Sequence, residues 1–512
     1  MIATAANFLP EKSPNAGSTA KNIQTASLAP LKLPSIAILG IPFDNITMAQ
    51  AIEAIEAMVA SREPHYLATA NVDFLVQARQ DVELRRILLN AHLVLCDGTP
   101  LVWASRLLGN PLPERVAGSD LVPLLIQIAA QKKYRVFFLG ASPESAAAAV
   151  ENLQKKYPQL IVAGRYSPPF APLHEMDHDE IKRQIQSARP DLLFVSFGCP
   201  KQEKWISMHY ISMGVPVCVG VGATIDFLAG RVKRAPKIMQ KTGTEWIFRL
   251  AQEPRRLVHR YMIGLWWFSR EIGHQWWRMQ LAKRKNESAQ GREFAPTQNQ
   301  PWKTLRFAER LDLEAVHRDA LACEQALASH RYCLFDLSGV KFVDSTGIGL
   351  LIRLQKKARI AGRKLVLLSP SPTMLSALKL MRLRDFFDIA PDLSAARRIF
   401  ESSDSAEPVL IQKTYFPSKP SLFWRGEITA SNVDQVWKLT QTHIASRALE
   451  KKAVQIDISA LQFIDSAGAN LMARAKREAT TQGTKLYFVG TQPNVQNVLR
   501  MSKLEATVLK VG

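Results

Sequence analysis

Two short stretches carry the residues best able to do chemistry, Thr69-Ala70-Asn71-Val72-Asp73 and Cys96-Asp97-Gly98-Thr99-Pro100. Each follows an apolar run that reads as a buried strand, His65 to Ala68 and Leu93 to Leu95. A parallel sheet brings both strand ends to one edge, where open α/β folds bind ligands. A carboxylate just past such a strand, beside a glycine that lets backbone approach, suits a general base. Asp97 is that carboxylate. It also suits the N-cap of a helix starting near Pro100, and spacing alone leaves both roles open.

Three further strand-to-helix junctions carry small residues: Gly140-Ala141-Ser142-Pro143-Glu144, Gly198-Cys199-Pro200-Lys201-Gln202-Glu203 and Gly220-Val221-Gly222-Ala223-Thr224. Helix N-termini bind phosphate through unpaired backbone N–H groups. Three such turns in one domain favour a nucleotide-type ligand, with Gly140 and Gly222 as candidate contacts. The one tempting metal pair is Asp177-His178-Asp179, in a loop after Pro168-Pro169-Phe170-Ala171-Pro172. Its place just before a helical stretch reads as a helix start favoured by the dipole, so no metal ligand is assigned.

These junctions need an alternating scaffold. Candidate strands are Ile36–Leu39, His65–Ala68, Leu93–Leu95, Arg135–Leu139, Leu160–Val162, Leu192–Phe197 and Val215–Val221, with helical periodicity between them, as over Met48–Ala60 and Ser142–Lys156. That order predicts a mostly parallel sheet covered on both faces. Residues 1–32, rich in Ala, Ser, Asn and Pro, read as a disordered tail, and 33–230 as the α/β domain.

Net charge is +21, and over half of it lies in one segment. Between Arg231 and Lys285 there are 14 Lys/Arg, 3 Glu and five of the ten tryptophans. Such a segment expects an anionic partner. Leu257, Tyr261, Leu265, Phe268, Ile272 and Trp276 form one apolar helical stripe. It can pack on its own domain, or lie in a membrane interface with arginines on lipid phosphates. The Trp266-Trp267 and Trp276-Trp277 pairs, costly to leave wet, favour the membrane. No run reaches the roughly 18 apolar residues of a spanning helix. No charged n-region precedes an apolar h-region, so no secretory signal is expected. Five scattered cysteines read as buried thiols in a reducing compartment. The expected location is cytoplasmic, peripheral on the inner face of the membrane.

Residues 286–300 read as a linker. Beyond it the chain repeats itself. Phe335-Asp336-Leu337-Ser338 through Val343-Asp344-Ser345-Thr346-Gly347 returns as Gln455-Ile456-Asp457-Ile458-Ser459 through Ile464-Asp465-Ser466-Ala467-Gly468, 121 residues on. The apolar strands Lys364–Leu368 and Lys485–Val489 follow. This is a tandem duplication of one domain, at 301–402 and 408–512. The linker predicts that everything after Gln300 can be removed without loss of catalysis or membrane binding.

The stretch from about Ile36 to Gly273 resembles the WecG/TagA/CpsF glycosyltransferases. The motifs that carry the likeness are Thr69-Ala70-Asn71, Asp97-Gly98, Arg115-Val116-Ala117-Gly118-Ser119-Asp120, Gly198-Cys199-Pro200-Lys201-Gln202-Glu203, Gly220-Val221-Gly222-Ala223 and Arg231-Val232-Lys233-Arg234-Ala235-Pro236. The resemblance implies a Rossmann-like, doubly wound α/β domain with a helical basic appendage. It implies inverting, metal-independent transfer, without cofactor, from a UDP-sugar to a polyprenyl-pyrophosphate-linked sugar. The sugar would be N-acetylmannosamine, its uronate or a hexose, and the product an exopolysaccharide, O-antigen or teichoic-acid-type polymer. It further implies that Asp97 is the base and that Thr69, Asn71, Arg115 and Gln202 line the pocket. Arginines of the appendage, among Arg249, Arg255, Arg256 and Arg260, would close over it. The repeats look like two small α/β STAS domains of the anti-sigma-factor-antagonist type, whose phosphorylatable serine matches Ser345 and Ser466. Those serines could mark a surface for a protein partner or merely cap their helices.

Other classes fit less well. A nicotinamide oxidoreductase would carry Gly-x-Gly-x-x-Gly near Ile36–Pro42, and none is there. A signalling scaffold with a dead transferase domain would not need Asp97, Asn71 and Gln202. Nucleic-acid binding is not expected, since the Trp pairs lie on or beside an amphipathic stripe rather than an open stacking sheet.

Overall fold

The computed structural model describes residues 34–232, 235–236, 239, 245–252, 254–285, 301–404, 422–450, 452–502, 504 and 508–509. The tail expected at 1–32 and the linker expected at 286–300 lie outside these residues.

The described chain begins with an antiparallel hairpin, β1 (Ile36–Ile38) and β2 (Ile41–Phe43). Leu39 and Gly40 both take positive φ, which the tight two-residue turn requires. Then come α1 (Met48–Ser61), β3 (His65–Ala70), α2 (Val72–Ala78), α3 (Val82–Asn90), β4 (Leu93–Cys96), α4 (Thr99–Leu107), α5 (Gly118–Lys132), β5 (Arg135–Gly140) and α6 (Pro143–Lys156). They are followed by β6 (Ile161–Tyr166), α7 (His178–Ala188), β7 (Leu192–Ser196), α8 (Lys201–Met213), β8 (Val217–Gly220) and α9 (Thr224–Leu228).

Six of these strands form one parallel sheet in the order β4-β3-β8-β7-β5-β6. The period of two along a strand sends alternate residues to opposite faces. On one face Tyr66, Ala68, Phe137, Leu139, Leu193 and Val195 meet α2, α3, α4, α7 and α8. On the other Leu67, Val136, Phe138, Leu192 and Phe194 meet α1, α5, α6 and α9. The sheet is doubly wound, as expected. The first candidate strand is the exception: β1 pairs only with β2, outside the six-stranded sheet. Its alternation could not reveal this, because a buried hairpin and a buried sheet strand are equally apolar.

The basic segment supplies α10 (Glu245–Gln252) and the long α11 (Pro254–Lys285). The expected stripe on α11 is turned inward in its described middle: Phe268 and Ile272 are buried, together with Trp267 and Gln275. They pack against α2 and the hairpin; Gly264, for example, faces Val76. A different apolar row faces outward, comprising Val258, Met262, Trp266, Trp277 and Leu281, with Trp266 65 % and Trp277 58 % exposed. Among the described residues no helix is long and apolar enough to cross a membrane.

The first repeat runs β9 (Lys303–Arg306), β10 (Arg310–Leu311), α12 (Leu313–Ser329), β11 (Tyr332–Asp336), β12 (Phe342–Val343), α13 (Ser345–Ile360), β13 (Lys364–Leu368), α14 (Pro372–Leu380), β14 (Asp388–Ala390) and α15 (Leu393–Asp404). The second runs β15 (Leu422–Ile428), α16 (Val433–Leu449), β16 (Val454–Ile464), α17 (Ser466–Thr481), β17 (Leu486–Val489), α18 (Pro493–Met501) and β18 (Val508–Leu509). Each has a four-stranded parallel sheet, β14-β13-β11-β9 and β15-β16-β17-β18. Neither stands apart from the first domain. Ala37 and Leu89 share a core with Leu351 and Leu354 of α13. Buried Lys356 donates to the Ala91 carbonyl at 2.6 Å. Any side chain at Gly349 would strike the Ser35 carbonyl.

Candidate active site

The C-terminal ends of five neighbouring strands carry the residues singled out by sequence. Asp97 follows β4; its backbone N–H donates to Ala70 O at 2.9 Å, and its Oδ2 accepts from Gly118 N at 3.4 Å. That contact ties it to the first turn of α5. Asp97 does not cap α4, whose N-cap is Gly98. The capping role left open by spacing therefore falls away, and the half-buried carboxylate stands at the sheet edge.

Asn71 follows β3 and is the N-cap of α2, accepting from Asp73 N at 3.0 Å and Phe74 N at 3.3 Å. Gly98 approaches it closely: a Cβ there would lie 3.7 Å from that of Asn71. Thr69, one residue inside β3, donates to Gly220 O at 3.5 Å and faces Gly118. Gly220 ends β8, and any side chain on it would strike the Gln202 amide and the Glu203 carboxylate. Asp97, Gly118, Thr69, Gly220 and Gln202 thus form a continuous chain of contacts along the rim.

Gln202 opens the next section of that rim. It is 3 % exposed, and its Oε1 accepts from Gly198 N and Gly222 N, both at 3.1 Å. One amide oxygen therefore links the turns after β7 and β8. Ser196 donates to Gly222 O at 2.5 Å, and any side chain at Gly140 would strike the Ser196 carbonyl. Gly140 and Gly222 have φ of 92° and 51°, so both glycines are required by their turns.

Arg115 is less open than expected. Its guanidinium donates to Asp120 at 2.7 Å and to Glu245 of α10 at 3.2 Å. It fastens the basic segment to the α4–α5 loop, and a ligand reaching it would share it with two carboxylates. Arg255 is exposed on α11. The side chains of Arg249, Arg256 and Arg260 lie outside the described residues. Asp177 caps α7 through Glu180 N at 2.9 Å, while Asp179 pairs with Lys182 at 2.7 Å, which agrees with the helix-start reading.

Sequence reasoning passed over Glu203. It is 4 % exposed, accepts from Gln202 Nε2 at 2.7 Å, and has its carboxyl pushed up to about 7, by burial above all. A carboxyl in that range can give or take a proton near neutrality. The available signal was its place beside Gln202 at a strand-end helix start; its burial could not be read.

The serines of the repeats are neither caps nor exposed. Asp344 caps α13 and Asp465 caps α17, each through its own side chain. Ser345, 0 % exposed, lies 2.8 Å from Gln275 Nε2 of α11. Ser466, 6 % exposed, donates from its hydroxyl to Glu83 at 2.7 Å, and its backbone N–H donates to the same carboxylate at 2.6 Å. Lys204 holds Glu83 and Asp81 at 2.9 and 2.7 Å. In this conformation both hydroxyls are buried against the transferase domain, so the helix-cap alternative falls to the neighbouring Asp344 and Asp465.

Residues 36–282 match the model of the glycosyl transferase WecG/TagA/CpsF family, and residues 294–396 and 421–511 match that of the STAS domain. Among curated proteins the chain is 33 % identical over 222 residues to an N-acetylglucosaminyldiphosphoundecaprenol N-acetyl-beta-D-mannosaminyltransferase of Staphylococcus aureus strain MW2. The same figures hold for its counterpart in strain MRSA252; the match covers 43 % of this chain and 85 % of each relative. Among solved structures, the anti-sigma factor antagonist SpoIIAA in its unphosphorylated form overlaps 21 % of this chain and 97 % of its own, at 20 % identity and a TM-score of 0.20. The phosphorylated form of the Bacillus cell fate determinant SpoIIAA overlaps 21 % and 99 %, at 22 % identity and a TM-score of 0.19. The fold is α/β, with a doubly wound parallel sheet in its first domain. The protein belongs to the WecG/TagA/CpsF family of glycosyltransferases, and it carries two STAS domains after the transferase domain.

Proposed function

We propose that this protein is an inverting transferase that moves a sugar from a UDP-sugar to a polyprenyl-pyrophosphate-linked N-acetylglucosamine at an anionic membrane surface. The preferred donor sugar is N-acetylmannosamine, as in the relatives' names; its uronate and hexoses are the alternatives. Asp97 takes the proton of the acceptor hydroxyl as its oxygen bonds to the anomeric carbon. The bond from that carbon to UDP breaks on the opposite face, and UDP leaves with the electron pair. Its developing charge meets the turns at Gly140 and Gly222 and arginines of the 249–260 segment. Asp177 and Asp179 are engaged elsewhere, so the reading gives them no metal and expects activity to survive EDTA.

The observation that carries this reading is the contact chain from Asp97 through Thr69 and Gly220 to Gln202, which puts a carboxylate and the turns after β7 and β8 on one rim. The test is Asp97→Asn, assayed with UDP-N-acetylmannosamine and a short polyprenyl-pyrophosphoryl N-acetylglucosamine. Transfer should fall about 10²–10⁴-fold, the usual cost of losing a general base, with UDP binding kept. Near-normal turnover would remove Asp97 from the mechanism.

The STAS pair acts in cis on this reading. Ser345 and Ser466 spend their hydroxyls on α11 and α3, so a partner or modification that takes these junctions must first displace the transferase domain.

A further inference from the structure

Where the transferase domain, α11 and the first STAS domain meet, a cavity of about 150 Å³ lies apart from the strand-end rim. Three guanidinium groups line it: Arg79 just after α2, Arg85 on α3 and Arg382 after α14. Among the described residues none of the three is in an ion pair. Arg85 is 8 % exposed; one of its terminal nitrogens donates to the Leu39 and Met381 carbonyls, while its Nε has no acceptor in the chain. Trp267, also 8 % exposed and on the wall of the same cavity, has an indole N–H that likewise finds no acceptor. Buried donors are almost always satisfied. Both donors belong to residues that line this one small cavity.

The surroundings specify its charge. The one carboxylate on the wall, Glu271, is held by Arg270 at 2.6 Å. Gln275 is committed to Leu39, Ala37 and Ser345. Three cations thus face one engaged anion. Burial and the neighbouring Arg382 also bring the Arg85 guanidinium down to about 10, the direction expected where positive charge lacks a counter-ion.

We propose that this cavity binds a phosphoryl oxyanion, which accepts from Arg85 Nε and the Trp267 indole at its base and from Arg79 and Arg382 at its mouth. Guanidinium forks match phosphate oxygens in charge and geometry. Because Arg79 and Arg85, Trp267, and Arg382 come from three different parts of the chain, the ligand ties the STAS domain to the transferase domain and to the basic helix. The phosphoryl group can come from a soluble phosphate compound or from an anionic lipid headgroup.

The test uses the full-length protein and inorganic phosphate, titrated at constant ionic strength with chloride as the control. Thermal stability should rise with phosphate as a ligand of the native state requires. Arg382→Ala and Trp267→Phe should each weaken the apparent affinity about tenfold; Arg382 is exposed, and phenylalanine removes the indole donor while keeping an aromatic ring at the buried position. A second arm measures binding to phosphatidylglycerol vesicles with and without phosphate. Loss of vesicle binding in both variants, with competition by phosphate, assigns the site to a headgroup; a phosphate effect without vesicle dependence assigns it to a soluble ligand. Absence of any phosphate- or vesicle-dependent effect of the two variants overturns the proposal.

Discussion

Glu203 shows how one buried carboxyl can couple the candidate site to pH. Its ordinary value is 4.5 and burial lifts it to about 7, against hydrogen bonds from Gln202 and Cys199 that act the other way. A group raised on folding holds its proton more tightly in the native state. Stability is therefore complete below about 4.5, declines as pH rises towards 7, and is level beyond it. A shift of that size corresponds to roughly 3 kcal/mol. Glu203→Gln should remove this share of the slope and leave that of Asp344 and Asp465, which burial also raises, and urea melts of both proteins between pH 4 and 8 should converge at the acid end. Parallel melts across that range would mean that the carboxyl is not desolvated. Asp97, Asn71, Thr69 and Gln202 were legible in the sequence because each closes a short apolar run or opens a helix at the sheet's edge. The partners of Arg115 were not. Glu245 lies 130 residues on, and no local pattern links them.

At the scale of the element, α11 was legible as amphipathic but not as two-sided. Its inner row meets α2 and the hairpin, contacts that depend on tertiary placement. Its outer row, Trp266 and Trp277 among it, is the one that remains for a membrane. Trp266→Ser with Trp277→Ser should therefore abolish binding to anionic vesicles while changing stability by no more than about 0.5 kcal/mol per site, as exposed substitutions do. Phe268→Ala, on the buried row, should instead cost about 3–5 kcal/mol. Flotation with vesicles and thermal melts measure the two effects. The vesicle interaction of the native protein should weaken as salt rises, since surface charge is screened within about 10 Å at 0.1 M. The duplication was equally plain in sequence, down to its 121-residue offset, because Asp-Ser junctions and apolar strands recur in register. What it could not disclose is that each serine points into the neighbouring domain.

At the scale of the molecule, that packing changes what can be removed. The expectation that residues after Gln300 are dispensable conflicts with a core shared by Ala37, Leu89 and α13. A chain ending at residue 300 should melt markedly lower or aggregate; an unchanged melting temperature with full transfer would mean that the shared core contributes little. Ser466→Asp tests the second contact. It sets a new carboxylate against Glu83 and Asp465, where Asp465 is already pushed up to about 7 by burial and by Glu83. Like charges at such range cost several kcal/mol in a buried setting. Hydrogen exchange should rise across α3 and α17 and leave the rim at Gly140 unchanged.

The β1–β2 hairpin is the earliest described element, yet part of the cover of Ser35 and Ala37 comes from α13, some 310 residues later. During synthesis this apolar edge must wait for its partner. At roughly 5–20 residues per second, the stretch from the end of α11 to the end of α13 takes about 4–15 s to translate. For that interval the nascent transferase domain exposes a surface meant for its own downstream sequence, an edge on which a chaperone, or a second polysome-bound copy, can settle first.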